Sequence, residues 1–239
     1  MSAEAVIGEE VARKREPAIN LPGSLLVALL GLVAIHAVRV YLLAPETDNW
    51  LLVEFAFFPA RYAFSLSEQS FAWLWSPVTY SLLHGGWEHV LFNAFWLVAF
   101  GAPVVRRIGT LRFILFWCIS AAAAVAFHTA FHWGDAVPVI GASGVVAALM
   151  GAAARFVFSP GGRIRRESHL NPLMSIPAAL SDRTVLVFAG VLFASNLLIG
   201  LGAFAPGGAA TIAWEAHIGG FLFGFLFFAP FDRQPVPSE

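Results

Sequence analysis

Six long apolar stretches, separated by shorter polar ones, set the frame of this chain. They run near Ser24–Ala44, Trp87–Val105, Leu111–Phe131, Val137–Phe158, Thr184–Phe204 and Ala210–Pro230. A helix needs roughly 20 apolar residues to cross a hydrocarbon core of about 30 Å, and each stretch has that length. The pattern therefore predicts an all-α fold, a polytopic membrane protein whose six transmembrane helices occupy residues 24–230. A short tail, 1–23, precedes them and another, 231–239, follows. The first stretch is preceded by Arg13, Lys14 and Arg15, as a signal peptide would be, but its apolar run is too long and no small-residue cleavage site follows. The connection between the first two spans contains LLVEFAFFPARYAF, apolar yet interrupted by Glu54, Pro59 and Arg61. It is read as an interfacial segment dipping into the outer leaflet, with Trp50, Trp73 and Trp75 as anchors.

The basic residues orient the bundle, because Lys and Arg accumulate in short cytoplasmic loops. Arg13, Lys14 and Arg15, then Arg106, Arg107 and Arg112, then Arg163, Arg165, Arg166 and Arg183, and finally Arg233 all fall on one side. The opposite connections carry Glu46, Asp48, Glu54, Glu68 and Asp135 but only Arg61. Both termini are expected in the cytoplasm, and the arginine-heavy usage and minimal tails suggest a bacterial plasma (inner) membrane. With 59% hydrophobic residues, 12% charged residues and a mean hydropathy of +0.75, lipid must be the main solvent. A net charge of −1 and the lack of any basic stripe exclude nucleic acid as a partner. Cys118 stands alone, so neither an intrachain disulfide nor a cysteine-rich metal site is available.

Polar groups inside spans are costly and mark function by default. The second span opens HGGWEHVLFN, supplying His84, His89 and Asn93; the fourth carries GASG, supplying Ser143; the sixth opens WEAHIGG, supplying His217. All three spans enter from the outer side, and about 1.5 Å of rise per residue puts Asn93, Ser143 and His217 roughly 10 Å below the surface. His89 and Asn93 are four apart and share a helical face. Ser143, Ala147 and Gly151 form one small-residue stripe, and Ala216, Gly220 and Gly224 another, the pattern that lets membrane helices approach closely. Ordinary packing is the plainer reading of such stripes; a hydroxyl and an imidazole on facing stripes favour chemistry. A serine becomes nucleophilic when an imidazole takes its proton, and acyl transfer also needs donors for the oxyanion. Ser143 and His217 suit the first task; His89, Asn93 and the Ser143 N–H suit the second. Gly141 and Gly144 would let an irregular backbone bring that N–H to substrate. Glu215, two residues before His217, faces away from it, and Glu88 is a first-turn acid, so a two-residue Ser-His unit is expected.

HGGWEHVLFN, GASG and AHIGGFLFG, in that order and on those spans, resemble the rhomboid family of intramembrane serine proteases over Trp75 to about Phe228. The resemblance implies a six-helix rhomboid-like bundle. It also implies Ser143 as nucleophile, His217 as base and then acid, His89 and Asn93 as oxyanion-hole side chains, and His84 as a supporting polar residue. Gly141, Gly144, Gly220 and Gly224 are expected to support the site by close packing. The implied substrates are single-span transmembrane proteins in the lipid bilayer, cut near its outer face without metal or cofactor. Two positions depart from the family pattern: Ala147 replaces an aromatic residue that stacks on the base, and in GAPVVRRIG Val105 stands where many members of the family carry a loop glutamate. Another residue must then orient His217.

A zinc protease or transporter built on His84, His89 and His217 would lack HExxH and leave Ser143 without a role. A channel would need polar residues at cytoplasmic depth as well. A catalytically inactive rhomboid-like protein that binds membrane clients is the remaining alternative, although such relatives usually lack the serine or the histidine. His36, His128, His132 and His169 are read as packed or interfacial, and Arg39 and Arg155 as snorkelling to headgroups. The uncharged segment Gly200–Gly208 is expected to cap the site beside a mobile fifth span.

Overall fold

Lipid offers the backbone no hydrogen bonds, so apolar runs of this length close their own as helices. The structure, a computed structural model, describes residues 20–159, 168–200 and 213–232. Among these residues α1 (Gly23–Tyr41), the rod Trp87–Ile108 and α6 (Thr110–Thr129) are each long and apolar enough to span a membrane. The rod consists of α4 (Trp87–Trp96) and α5 (Ala102–Ile108), joined by a π turn over Leu97–Gly101. Pro103 lies just inside α5 and has no N–H to give to the preceding turn, a gap that the wider π turn absorbs. Three shorter helices complete the bundle: α7 (Ser143–Ala154), α9 (Arg183–Gly200) and α10 (Trp214–Phe227). Each of the six predicted spans thus corresponds to a helix, in order. The expected tails and the proposed cap lie largely or wholly outside the described residues: 1–19, 201–212 and 233–239.

The fourth span begins later than its hydropathy indicates. Residues Val137 to Gly141 are not helical, Ala142 lies in a turn, and α7 starts only at Ser143. Pro138 lacks an amide proton and disfavours helix at Val137. Val139 exchanges backbone hydrogen bonds with Phe57 (3.1 and 2.8 Å), and Gly141 turns the chain at φ +120°. At 12 residues α7 rises about 18 Å, so it cannot cross a core of about 30 Å. It needs no contact with lipid, because every residue from Gly144 to Ala154 is buried. Its N-terminus, with Ser143, is therefore set within the bundle.

The long connection folds as α2 (Pro45–Phe55), short 3-10 turns and α3 (Ala72–Thr79), ending in the turn Tyr80–Leu82. It exposes Trp50, Phe64 and Phe71 and is pinned to the approach to Ser143, since the Ala60 N–H donates to the Asp135 carbonyl at 2.9 Å. The helix between the fourth and fifth spans, α8 (Ile176–Ser181), is capped by Ser175.

Backbone contact holds α7 against α10. A Cβ on Gly220 would strike the Gly144 carbonyl group, one on Gly224 that of Ala148, and one on Gly151 the Phe221 carbonyl. The facing stripe on α7 is thus Gly144, Ala148 and Gly151, one residue along from the predicted Ser143 and Ala147. At the end away from Ser143 the arginines do not snorkel but clasp carbonyls. Arg155 is buried and donates to the carbonyls of Met174 (2.7 and 3.0 Å) and Phe225 (3.1 Å). Arg107 grips Asp232 through two bonds (2.8 and 2.7 Å) and the carbonyls of His169 and Asn171; Arg112 holds those of Phe231 and Asp232. Arg106 reaches the Asn20 carbonyl, so both described chain ends meet basic residues at one end of the bundle. Arg39, near the other end, is also buried, paired with Asp48 at 2.7 Å and bonded to the His84 carbonyl at 2.9 Å. Outward, Val27, Leu91, Leu111 and Val191 are more than half exposed, a surface that water would not tolerate and lipid requires.

Candidate functional site

The site forms where α4, α7 and α10 begin. A helix start leaves its first N–H groups without intrahelical partners and carries the positive end of the helix dipole. Ser143 is the first residue of α7, His89 lies in the first turn of α4 and His217 in the first turn of α10. Three such ends together favour developing negative charge.

Ser143 Oγ lies 2.7 Å from His217 Nε2. The bond spans the glycine contact between α7 and α10, so the stripes that bring the helices together also bring these groups together. On its other nitrogen, His217 Nδ1 lies 2.5 Å from Asn196 Oδ1 on α9. Asn196 was not singled out from the sequence. The signal was available, since LFASNLLIG places one amide within an apolar span, where polar groups mark function. Ala147 is buried and brings no ring to the imidazole.

The second motif is ordered by its own helix. The Asn93 amide donates to the His89 carbonyl one turn back (2.9 Å) and is buried. The rings of His84 and His89 meet edge to face with centroids 4.9 Å apart. His84 Nε2 accepts from the Ala142 N–H at 3.4 Å, next to Ser143, and its buried Nδ1 finds no partner among the described residues. Gly141 explains the nearness of His89: a Cβ there would stand 2.7 Å from His89 Cε1 and Nε2 and 3.7 Å from Ser143 Oγ. At φ +120° the backbone also favours glycine on conformational grounds. The Gly141 N–H is spent on the Tyr80 carbonyl (3.0 Å), while the Ser143 N–H, as the first of α7, has no turn behind it to bond. Gly144 is equally confined, since a Cβ there would lie 2.8 Å from that of Ala124.

Glu215 does face away from His217, but not into solvent. It is buried, with Oε2 3.2 Å from His128 Nδ1 and Oε1 3.0 Å from His132 Nε2; His132 Nδ1 meets Asp135 at 2.9 Å. These bonds to Glu215 and Asp135 raise the His132 pKa above its ordinary value. His128 and His132 are therefore hydrogen-bond partners of Glu215 rather than plainly packed. With Glu215 they are also, among the described residues, the group whose donor atoms lie close enough for a metal, within 4.8 Å. Their rings stack almost parallel, 20° apart with centroids at 4.3 Å, so no nearby point lies in both ring planes as joint coordination requires.

Taken together, the arrangement offers a hydroxyl bonded to an imidazole, an N–H at a helix start and neighbouring polar side chains, the set that acyl transfer uses.

Similarity to known proteins agrees with this geometry. Residues 72–233 match the model of the rhomboid domain. The chain is 27% identical over 194 residues to rhomboid protease GlpG of Pectobacterium atrosepticum, covering 81% of this chain and 59% of that protein. It is 26% identical over 198 residues to rhomboid protease GlpG of Yersinia pestis, with the same two coverages. The chain thus spans about three-fifths of the length of these relatives. With the domain match covering most of the chain, and with apolar helices facing lipid around Ser143 and His217, this integral membrane protein belongs to the rhomboid family of intramembrane proteases.

Proposed function

We propose that the protein is a serine endopeptidase that hydrolyses peptide bonds of single-span membrane proteins near the outer face of the bilayer. The observation that carries this reading is the 2.7 Å contact between Ser143 Oγ and His217 Nε2 at the buried start of α7. His217 Nε2 takes the hydroxyl proton as Oγ attacks the scissile carbonyl carbon. The oxyanion so formed lies against the Ser143 N–H and the side chains of His89 and Asn93, in a setting where dipoles are little screened. His217 then returns the proton to the leaving amine; a water molecule, deprotonated by the same imidazole, attacks the acyl carbon, and the C–Oγ bond breaks as His217 gives that proton to Oγ. The basic end of the bundle, opposite the site, is assigned to the cytoplasm, as in a bacterial inner membrane.

The test uses the full chain in liposomes with a labelled single-span substrate, together with a serine-directed fluorophosphonate. Ser143→Ala and His217→Ala should each abolish cleavage, since nucleophile and base act as a unit and their losses do not add. Labelling should be lost with Ser143→Ala. Cleavage above a few per cent of wild type in either variant refutes the two-residue mechanism. A wild-type protein that binds the substrate but neither cuts it nor takes the label would be a client-binding protein instead.

A further inference from the structure

Two pairs of side chains join the outer half of α9 to α10. Asn196 meets His217, and one turn along each helix the rings of Phe193 and Phe221 pack edge to face with centroids 5.2 Å apart. The same half of α9 turns Val191, Leu197 and Leu198 outward. Asn196 itself is only 6% exposed. Its amide is oriented from within its own helix, because Nδ2 donates to the Leu192 carbonyl at 2.8 Å. With the donor end spent there, Oδ1 is the end presented to His217.

A carbonyl oxygen only accepts, so His217 Nδ1 must supply the proton of the 2.5 Å bond. A neutral imidazole protonated at Nδ1 carries its lone pair on Nε2, the atom 2.7 Å from Ser143 Oγ. We propose that Asn196 is the positioning residue of this site, fixing the tautomer and ring direction of His217 and so extending the pair to a serine–histidine–asparagine relay. The inference rests on the Ser143–His217 reading given above. It supplies the support that Ala147 cannot, and from another helix: the base is held through α9, not through α7. A neutral amide suits this place, since a buried carboxylate in a span would cost far more to desolvate. Base orientation also becomes conditional on the docking of α9. Withdrawing α9 by about 1 Å would carry the Asn196–His217 bond out of hydrogen-bonding range.

The experiment compares Asn196→Leu, which matches the shape but cannot accept, with Asn196→Asp, which can. Turnover and KM are measured in liposomes, and the His217 tautomer is read by nitrogen-15 spectra of histidine-labelled protein, its signals identified by their loss in His217→Ala. Asn196→Leu should lower kcat by about 10- to 100-fold, the worth of one buried hydrogen bond, with KM little changed. It should also mix the two tautomers. Asn196→Asp keeps an acceptor facing Nδ1, so it should keep the Nδ1-protonated form and turn over faster than Asn196→Leu, short of wild type because its carboxyl is costly to bury and cannot replace the donor to Leu192. A kcat for Asn196→Leu within about twofold of wild type would overturn the proposal, as would an Nε2-protonated His217 in the wild-type protein. The wild-type spectrum decides even if Asn196→Leu does not fold. Failure of the underlying mechanism looks different: Ser143→Ala would then retain activity, whereas failure of this inference leaves Ser143 essential and the Asn196 variants unaffected.

Discussion

Gly220→Ala probes the bundle where packing and chemistry coincide. The added Cβ would stand 2.9 Å from the Gly144 carbonyl carbon and closer still to its oxygen. Carbon atoms settle at about 3.5–4.0 Å, so α10 must back away from α7 by at least about 0.6 Å. The obstacle is backbone and cannot rotate aside. Gly144 adjoins Ser143, and Gly220 lies one turn beyond His217, so the same retreat stretches the 2.7 Å serine–histidine bond to more than about 3.3 Å, where it is weak. The expected outcome is a loss of 1–3 kcal/mol of stability, roughly the cost of overpacking. Turnover should fall by about 10- to 100-fold, because a misplacement approaching 1 Å can cost about 10². Gly190→Ala in α9 is the control: its Cβ meets nothing within 4 Å, so stability should hold or rise by up to about 1 kcal/mol. Cleavage of a labelled substrate in liposomes, with thermal unfolding of the same samples, reads both quantities. A Gly220→Ala protein with wild-type turnover would refute the claim that this contact sets the serine–histidine distance.

Asn93→Ala should slow cleavage by about 10²-fold or less, since one oxyanion donor is typically worth about 10² to 10³ and others remain; an unchanged rate would take Asn93 out of the site. Activity should survive EDTA, because Ser143 and His217 bond each other while His128, His132 and Glu215 engage one another; loss with EDTA and recovery with zinc would revive a metal mechanism. Arg107→Ala strips Asp232 of a partner where both side chains are at most 5% exposed, so unfolding should become easier by about 3–5 kcal/mol; a loss below about 1 kcal/mol would show the pair to be dispensable.

Much of this arrangement is legible in the chain. Hydropathy locates the six helices because the demand for internal hydrogen bonding is uniform along a span, and the polar residues stand out because lipid makes them expensive. Hydropathy does not tell helix from extended chain, however. Val137 to Ala142 is apolar enough to extend the fourth span, and only Pro138 and the glycine at 141 hint that helix starts later. Partnerships between distant residues are hidden for a different reason. Arg39 with Asp48, and Glu215 with His128 and His132, are satisfied by neighbours that the fold supplies, so each looked like a lone residue with a lone fate. Asn196 is the instructive omission: its cost was visible in sequence, but its purpose needed the register of α9 against α10.

The arginine clasps gather mainly at the end of the bundle away from Ser143, with Arg39 near the other. At the end away from Ser143, Arg107, Arg112 and Arg155 bind carbonyls from loops and helix ends distant in sequence, a set of charge-assisted bonds with little freedom to slide. At the Ser143 end, among the described side chains, Asn196 and Phe193 of α9 meet His217 and Phe221 of α10. The two ends of α10 are thus held unequally: Arg155 clasps its far end, while its start meets α9 through these side chains. Amide hydrogen exchange should record that gradient, slowest around Arg155 and Phe225 and fastening along α9 toward Asn196. Uniform protection from end to end would mean that the bundle moves as a solid block.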